Sequence, residues 1–348
     1  MTPLLSIIVI SHEQREELRR CLDSILAMQL PFAHEIIVSD DRSTDGTREM
    51  LNELTSERVR EFENERCKLV VTYCNSDEGN CANNSQRSGY NRCNAYKLAK
   101  GKYIAFVDAD DYFEEGTKVY EHQVAMLESH PDCALCMANM KVLTIRGEEH
   151  RTHMWNKQMT EGEVLSPQQY LEGNRFIQNQ AFVVRNVRTE DPTEIYGNRF
   201  VDAIITCHYL QYGNIVCVDD YGYVYVRHEQ SVSDEITKRI DGWVVYCKGI
   251  YIPLLIPKWR DYLYKAELPL IYKVVKYALA GEQLEEKNMR HLRGMHVYVY
   301  DCFNRKLEIN DYCRLGMARL VLWWAISKKR YNARIGNMLE RLLIKEVE

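Results

Sequence analysis

The apolar positions of the first hundred residues follow two alternating periods. "LLSIIVIS" is a continuous run of apolar, mostly β-branched residues, which predicts a strand buried on both faces. Leu18, Cys21, Leu22, Ile25 and Leu26 then recur at helical spacing, and "EIIVSDD" predicts a second strand. A strand, a helix and a strand in so short a stretch imply parallel pairing through a right-handed crossover. "STDGTREMLNELTSE" predicts the next helix, with Ser43, Thr44 and Asp45 as candidate caps. "KLVVTYC" is the third strand, the polar loop "NSDEGNCANNSQRSGYN" leads into a helix ending near Gly101, and "KYIAFVDADD" is the fourth strand. Residues 1–112 therefore predict a doubly wound, mainly parallel α/β sheet, whose ligands bind beyond the carboxyl ends of the strands.

Further on, "YFEEGTKVYEHQVAMLESHPD" reads as helical and "CALCMANMKVL" as a strand. Residues 145–200 are polar and irregular, interrupted by Pro167 and Pro192. "FVDAIITCHYLQYGN" predicts a helix and "YGYVYVRH" an alternating strand. From Ile236 the pattern is helical and includes the apolar block "LGMARLVLWWAI" just before "SKKRYNAR". The expected division is a catalytic domain over 1–235, with a nucleotide-binding half (1–112) and an acceptor-binding half (113–235), and a helical C-terminal region over 236–348.

Composition narrows the function classes. The N-terminus carries neither a basic n-region nor a span-length apolar run, so a cytoplasmic location is expected, with contact at the inner membrane face as an addition. The twelve cysteines are dilute in 348 residues and read as reduced thiols, and Cys133 and Cys136 lack a second pair at zinc spacing. The net charge of −5 conceals an asymmetry: residues 1–237 hold 24 Lys and Arg against 38 Asp and Glu, whereas 238–348 hold 21 against 12. That basic tail reads either as a solvated helical face or as a surface for an anionic partner such as a membrane; no nucleic-acid partner is expected.

The candidate chemistry sits where the strands end. Asp108 and Asp110, two apart at the end of a strand, leave the sheet on one face. Two carboxylates so close call for a compensating cation, and a site of few oxygen ligands suits Mg²⁺ or Mn²⁺ completed by substrate phosphates. Asp111 reads alternatively as a cap on the next turn. Asp40 and Asp41 end the second strand, where a carboxylate accepts hydrogen bonds from a base or ribose. Neither a Gly-rich phosphate loop nor GxGxxG follows the first strand, only "SHEQREE", which argues against a nucleotidyltransferase or a Rossmann dehydrogenase.

These motifs, in order, resemble the family 2 glycosyltransferases of the GT-A fold. That family shows a "SIIV" strand, "EIIVxDDxSxDxT", an Arg-containing helix ending "AxG", and "YIxFxDxDD"; this chain has Ser6 to Ser11, Glu35 to Thr47, Arg92 with Ala99 and Gly101, and Tyr103 to Asp111. It departs at Glu13, where the family has Asn, and at Cys93 and Ala95, where it has Asn and Gly. The resemblance implies an inverting, metal-dependent enzyme that moves a sugar from a nucleotide-diphospho-sugar, most simply a UDP-sugar, to a glycan or lipid-linked acceptor in cell-surface polysaccharide synthesis. It puts the base near Ile10, Ser11, His12 and Asp41, with Asp40 more structural, Arg92 on the nucleotide, Asp108 on the ribose side and Asp110 on the metal. In "FVDA", Asp202 matches the family's carboxylate base, with an N-cap as its other reading. In "YVYVRHEQSVS", Arg227 is a diphosphate contact, and His228 is a metal ligand, a diphosphate contact or a surface histidine. A catalytically silent sugar- or nucleotide-binding module, or a nucleotidyltransferase, is the alternative reading.

Overall fold

The computed structural model describes residues 2–55, 66–79, 81, 84–143, 149–152, 160–172, 181–188 and 191–227, together with Ile256, Trp259, Leu320 and Trp323. The chain divides into two compact units, Met1–Tyr170 with Arg175–Glu229, and Leu171–Asn174 with Gln230–Glu348. His228 and nearly all of the region expected to be helical after Ile236 lie outside the described residues; within that region Leu320 and Trp323 are helical and exposed. No helix among the described residues is long and apolar enough to cross a membrane.

The first unit is built on one mixed sheet. In chain order the elements are β1 (Leu5–Ser11), α1 (Arg15–Ala27), β2 (His34–Asp41), α2 (Thr47–Glu53), β3 (Cys67–Cys74), α3 (Asn84–Tyr96), β4 (Tyr103–Asp108), β5 (Tyr112–Phe113), α4 (Val119–Ser129), β6 (Cys133–Leu143), β7 (Glu149–Thr152), β8 (Val164–Leu165), α5 (Pro167–Glu172), β9 (Phe182–Arg185), α6 (Pro192–Tyr196), α7 (Asp202–Tyr209) and β10 (Asn214–Val226). The strands lie in the order β3-β2-β1-β4-β9-β6-β10-β5, with β7 on β6 and β8 on β10. β3, β2, β1 and β4 pair in parallel, as do β6 and β10. β9 runs antiparallel between β4 and β6. This is the mainly parallel α/β sheet the sequence predicts.

β1 and β2 are buried at every position, because helices cover both faces of a parallel sheet; apolar residues fill the middle of each strand, and the polar residues at the ends of β2 are buried with hydrogen-bond partners. Each fully buried Ile, Leu or Val there contributes about 1.5–3 kcal/mol. Three motif residues close the amino end of the sheet. Ser6 Oγ donates to the buried Glu35 carboxylate at 2.6 Å, the same carboxylate oxygen accepts from Lys100 N at 2.7 Å, and Gly101 N donates to Ser6 Oγ at 2.8 Å. A Cβ on Gly101 would lie 2.5 Å from Ser6 N, so the chain turns into β4 on glycine.

Three local expectations are corrected. Tyr112 and Phe113 form β5 rather than the start of a helix, because they pair with Val224 and Tyr223; α4 begins only at Val119. Within the stretch read as irregular, Phe182–Arg185 is a central strand whose Phe182, Val183 and Val184 are fully buried. The helix read through Asn214 ends at Tyr209, and "NIVCV" belongs to β10, which pairs with β6 across an irregularity between Val218 and Tyr223.

Candidate functional site

The chain leaves β1 for β2 on one side, while β4 flanks the other, so the order reverses between β1 and β4 and opens a crevice at their carboxyl ends. Ile10 is in register with Ser39 of β2 and Asp108 of β4, and Ser11 with Asp40, which brings the two acidic motifs to one edge. Ile10 is buried, and its carbonyl accepts Ala109 N at 3.1 Å.

At the end of β4, Asp108 accepts a hydrogen bond from Arg92 Nη2 at 2.5 Å; the arginine side chain is buried, whereas the carboxylate is about a third exposed, at 31%. Asp110 is raised well above the ordinary carboxylate pKa, first by burial and then by the charge of Asp108. Burial and, after it, the like charge of Asp108 both disfavour the ionised form, and a divalent cation would relieve both. Among the described residues no three His, Cys, Asp or Glu gather as a preformed cage. Two neighbouring carboxylates, Asp108 and Asp110, are an oxygen donor set of the kind that fits a cation which keeps water and takes phosphate oxygens, as Mg²⁺ and Mn²⁺ do. Arg20, reaching from α1, donates to the Asp110 carbonyl at 2.8 Å and lies over the Tyr112 ring at 4.5 Å.

Asp111 does not spend its side chain on the next turn. It is fully buried, accepts from the Tyr223 hydroxyl, and accepts from Val226 N at 2.8 Å. Burial, and then the charge of Asp110, push its pKa well above the ordinary value. Because Val226 immediately precedes Arg227, this contact brings Arg227 to the same end of the sheet, where its N–H donates to Leu143 O at 2.9 Å.

At the end of β2 the two carboxylates diverge. Asp40 is fully enclosed and committed to Ser43 Oγ at 2.5 Å, Ser43 N at 3.2 Å and Arg48 Nε at 3.3 Å, so it holds the turn rather than facing the crevice. Asp41 accepts Ser76 N at 3.0 Å. Burial alone would raise its pKa, but hydrogen bonding from Ser76 and the charges of His12 and Arg42 bring it below the ordinary value. The exposed His12 is tied by Nδ1 to the Asp41 carbonyl at 2.6 Å. Ser11 Oγ is buried without a hydrogen-bond partner among the described residues, an orphan polar atom at the crevice edge. Asp45, expected as a cap, stands one residue before the N-cap position of α2, which is Gly46, and accepts Thr47 N at 3.1 Å.

Glu13 takes a left-handed conformation, φ 52°, which a non-glycine residue holds at a cost of about 1 kcal/mol. Its own contacts offset this: Glu13 N donates to Ser43 Oγ at 2.8 Å, and its carboxylate accepts Thr44 N at 2.7 Å. Asn91 went unmarked in the sequence. It donates to Ser11 O at 3.1 Å and Ser39 O at 3.0 Å, joining the ends of β1 and β2. A buried amide one residue before Arg92 was the available signal. Asp202 opens α7, just after a 3₁₀ turn at Gly197–Arg199 that packs on α3.

A family model described as "Glycosyl transferase family 2" matches residues 6–187. An uncharacterised protein of Mycobacterium tuberculosis is 25% identical over 232 residues, 66% of this chain and 60% of that protein. The chain thus spans less than two thirds of that relative. Escherichia coli WfaP, named as a UDP-Glc:α-D-GlcNAc-diphosphoundecaprenol β-1,3-glucosyltransferase, is 31% identical over 126 residues, 36% of this chain and 42% of that protein. Among solved structures, S. aureus TarS superimposes with a TM-score of 0.57 at 16% identity, covering 97% of this chain and 55% of TarS. Its residue 1–349 form in complex with UDP-GlcNAc gives a TM-score of 0.51 at 15% identity, covering 94% and 92%.

Proposed function

Because the chain belongs to glycosyl transferase family 2, we propose that it transfers a sugar from a nucleotide-diphospho-sugar to a hydroxyl of a glycan or lipid-linked acceptor, with inversion, in the synthesis of a cell-surface polysaccharide. The observation that carries this reading is the convergence of Asp41, Arg92, Asp108 and Asp110 at the β1–β4 switch point. UDP-glucose, the donor in the name of the E. coli relative, favours a UDP-sugar, and the same name favours a lipid diphosphate acceptor.

In this mechanism Asp41 accepts a hydrogen bond from the base, beside the unpartnered Ser11 hydroxyl. Asp108, fixed by Arg92, receives the ribose side. Asp110 is the residue that would hold Mn²⁺ or Mg²⁺, whose charge would offset that developing on the departing diphosphate. Arg227 adds a guanidinium to the diphosphate. Asp202 takes the proton from the acceptor hydroxyl as it attacks the anomeric carbon, and the single displacement inverts that centre.

A panel of nucleotide sugars, read by release of free nucleoside diphosphate and by thermal shift with and without Mn²⁺, tests this. The expected result is stabilisation by UDP that needs Mn²⁺ and UDP release from one UDP-sugar. No metal-dependent stabilisation by any nucleoside diphosphate would sink the reading, and binding without turnover under every acceptor tried would favour the silent module.

A further inference from the structure

Gly89 lies in the middle of α3, where glycine costs about 1 kcal/mol relative to alanine. Its surroundings account for that cost. A Cβ there would lie 2.2 Å from the carbonyl oxygen of Asn198, 2.8 Å from its carbonyl carbon and 3.2 Å from Phe200 N. All three are backbone atoms, so no side-chain rotation relieves the contact; at Gly79, by contrast, the crowding atoms belong to the Tyr90 ring.

The contact is a built joint. Four residues along the same helix, Cys93 Sγ donates to Gly197 O at 3.1 Å. Asn198 Nδ2 donates to Gly79 O at 2.9 Å, tying the turn to the loop after β3. Phe200 is fully buried, its ring edge-on to Tyr96 of α3 at 5.4 Å and to Phe106 of β4 at 6.0 Å. One residue later Val201 occupies the N-cap position of α7, and Asp202 follows. Arg92, which holds Asp108, sits three residues after Gly89 on α3 and is therefore its neighbour on the helix surface.

We propose that Gly89 is a positioning residue: its missing side chain lets α3 seat the Gly197–Phe200 turn, and so sets where Asp202 stands relative to the Arg92–Asp108 pair. The proposal rests on the glycosyltransferase reading above for what Asp202 does there, but the seating itself does not. α3 then serves both halves of the reaction, holding the donor carboxylate through Arg92 and the start of the acceptor helix through Gly89 and Cys93. Displacing reacting groups by about 1 Å costs on the order of 100-fold in rate, and a Cβ at 2.2 Å from a carbonyl oxygen forces a shift of that size.

The experiment uses the full chain with two substitutions, Gly89→Ala and Asn198→Ala. UDP affinity in the presence of Mn²⁺ is measured by calorimetry, UDP release from the productive sugar nucleotide by a coupled assay, and amide hydrogen exchange by peptide. Gly89→Ala is expected to lower kcat about 10- to 100-fold, to leave the UDP affinity within about twofold of wild type, and to speed exchange across residues 197–205 but not 103–111. Asn198→Ala, which removes the side-chain tethers of the turn to Gly79 and Cys81, gives the same pattern at smaller amplitude and decides the question if Gly89→Ala does not fold. Unchanged kcat, a loss of UDP affinity in proportion to the loss of rate, or unchanged exchange at 197–205 overturns the proposal. A wild-type protein that releases no UDP from any donor counts instead against the glycosyltransferase reading, while the exchange measurement still decides the seating.

Discussion

Asp40 and Asp41 are adjacent acids at the end of one strand, yet their partners divide their work. The Asp40 carboxylate is saturated by Ser43 and Arg48, whereas Asp41 accepts Ser76 N, lies 3.5 Å from Arg42 Nε and has His12 on its carbonyl. Removing the Asp40 carboxylate leaves the Ser43 donors unsatisfied in a buried turn, a loss of about 1–3 kcal/mol. Asp40→Ala is therefore expected to lower the urea midpoint by that measure. Asp41→Ala, on the proposed role, weakens UDP binding about tenfold, the equivalent of one lost hydrogen bond of roughly 1.4 kcal/mol. Calorimetric titration with UDP and Mn²⁺ separates the two; equal effects of both variants on affinity would dissolve the distinction. The same titration applied to Asp110→Ala should lose the Mn²⁺ dependence itself, and an unchanged Mn²⁺ requirement would remove Asp110 as metal ligand.

Among the elements, the parallel strands do two jobs at their two ends. At the amino end Glu35 gathers Ser6 Oγ and the Lys100 N–H, and at the carboxyl end the same strands deliver Asp41 and Asp108. Glu35→Ala should destabilise the fold by about 2–4 kcal/mol, because the buried Ser6 hydroxyl and the half-buried Lys100 N–H lose their acceptor, while UDP affinity stays unchanged; a fall in affinity without a fall in the urea midpoint would contradict this division. Local pattern made β1 to β4 legible, since each carries a short apolar run at its centre, as strands covered by helices require. It could not show β9, whose four residues lie in polar sequence and are identified only by pairing with Ala105 and Cys136, far away in the chain. For the same reason the sequence offered a cap for Asp111, whose partners Tyr223 and Val226 lie more than a hundred residues away, and no hint of Gly89, whose constraint is a backbone on another element. The carboxylates were legible because their chemistry is carried in adjacent residues.

At the scale of the whole molecule, stability should carry the signature of one histidine. His208 of α7 is fully buried, its ring edge-on to Tyr196 of α6 at 5.5 Å, to Tyr209 at 5.1 Å and to Tyr212 at 5.3 Å. Nδ1 meets the Tyr196 hydroxyl at 3.2 Å, and Nε2 has no hydrogen-bond partner among the described residues. Burial lowers its pKa from 6.5 to about 4, against a smaller opposing pull from Asp191. Between those two values the unfolded chain binds a proton that the folded chain refuses, so stability rises with pH in that window. The contribution is complete above pH 6.5 and is lost as pH falls toward 4, and at about 1.4 kcal/mol per pKa unit it reaches about 3 kcal/mol. His208→Gln keeps a polar neighbour for Tyr196 but cannot take up the proton. Urea denaturation of both proteins at intervals from pH 7.5 to 4 should therefore show two curves separated at neutral pH that converge, or cross, as the solution is acidified. His34 is also lowered by burial and contributes its own slope to both proteins, so the difference between the curves is the quantity that reports on His208. Parallel curves across that range would mean that His208 takes up its proton in the folded state, and that the tyrosine-lined position in the last turn of the helix that Asp202 opens is wetter than its burial implies.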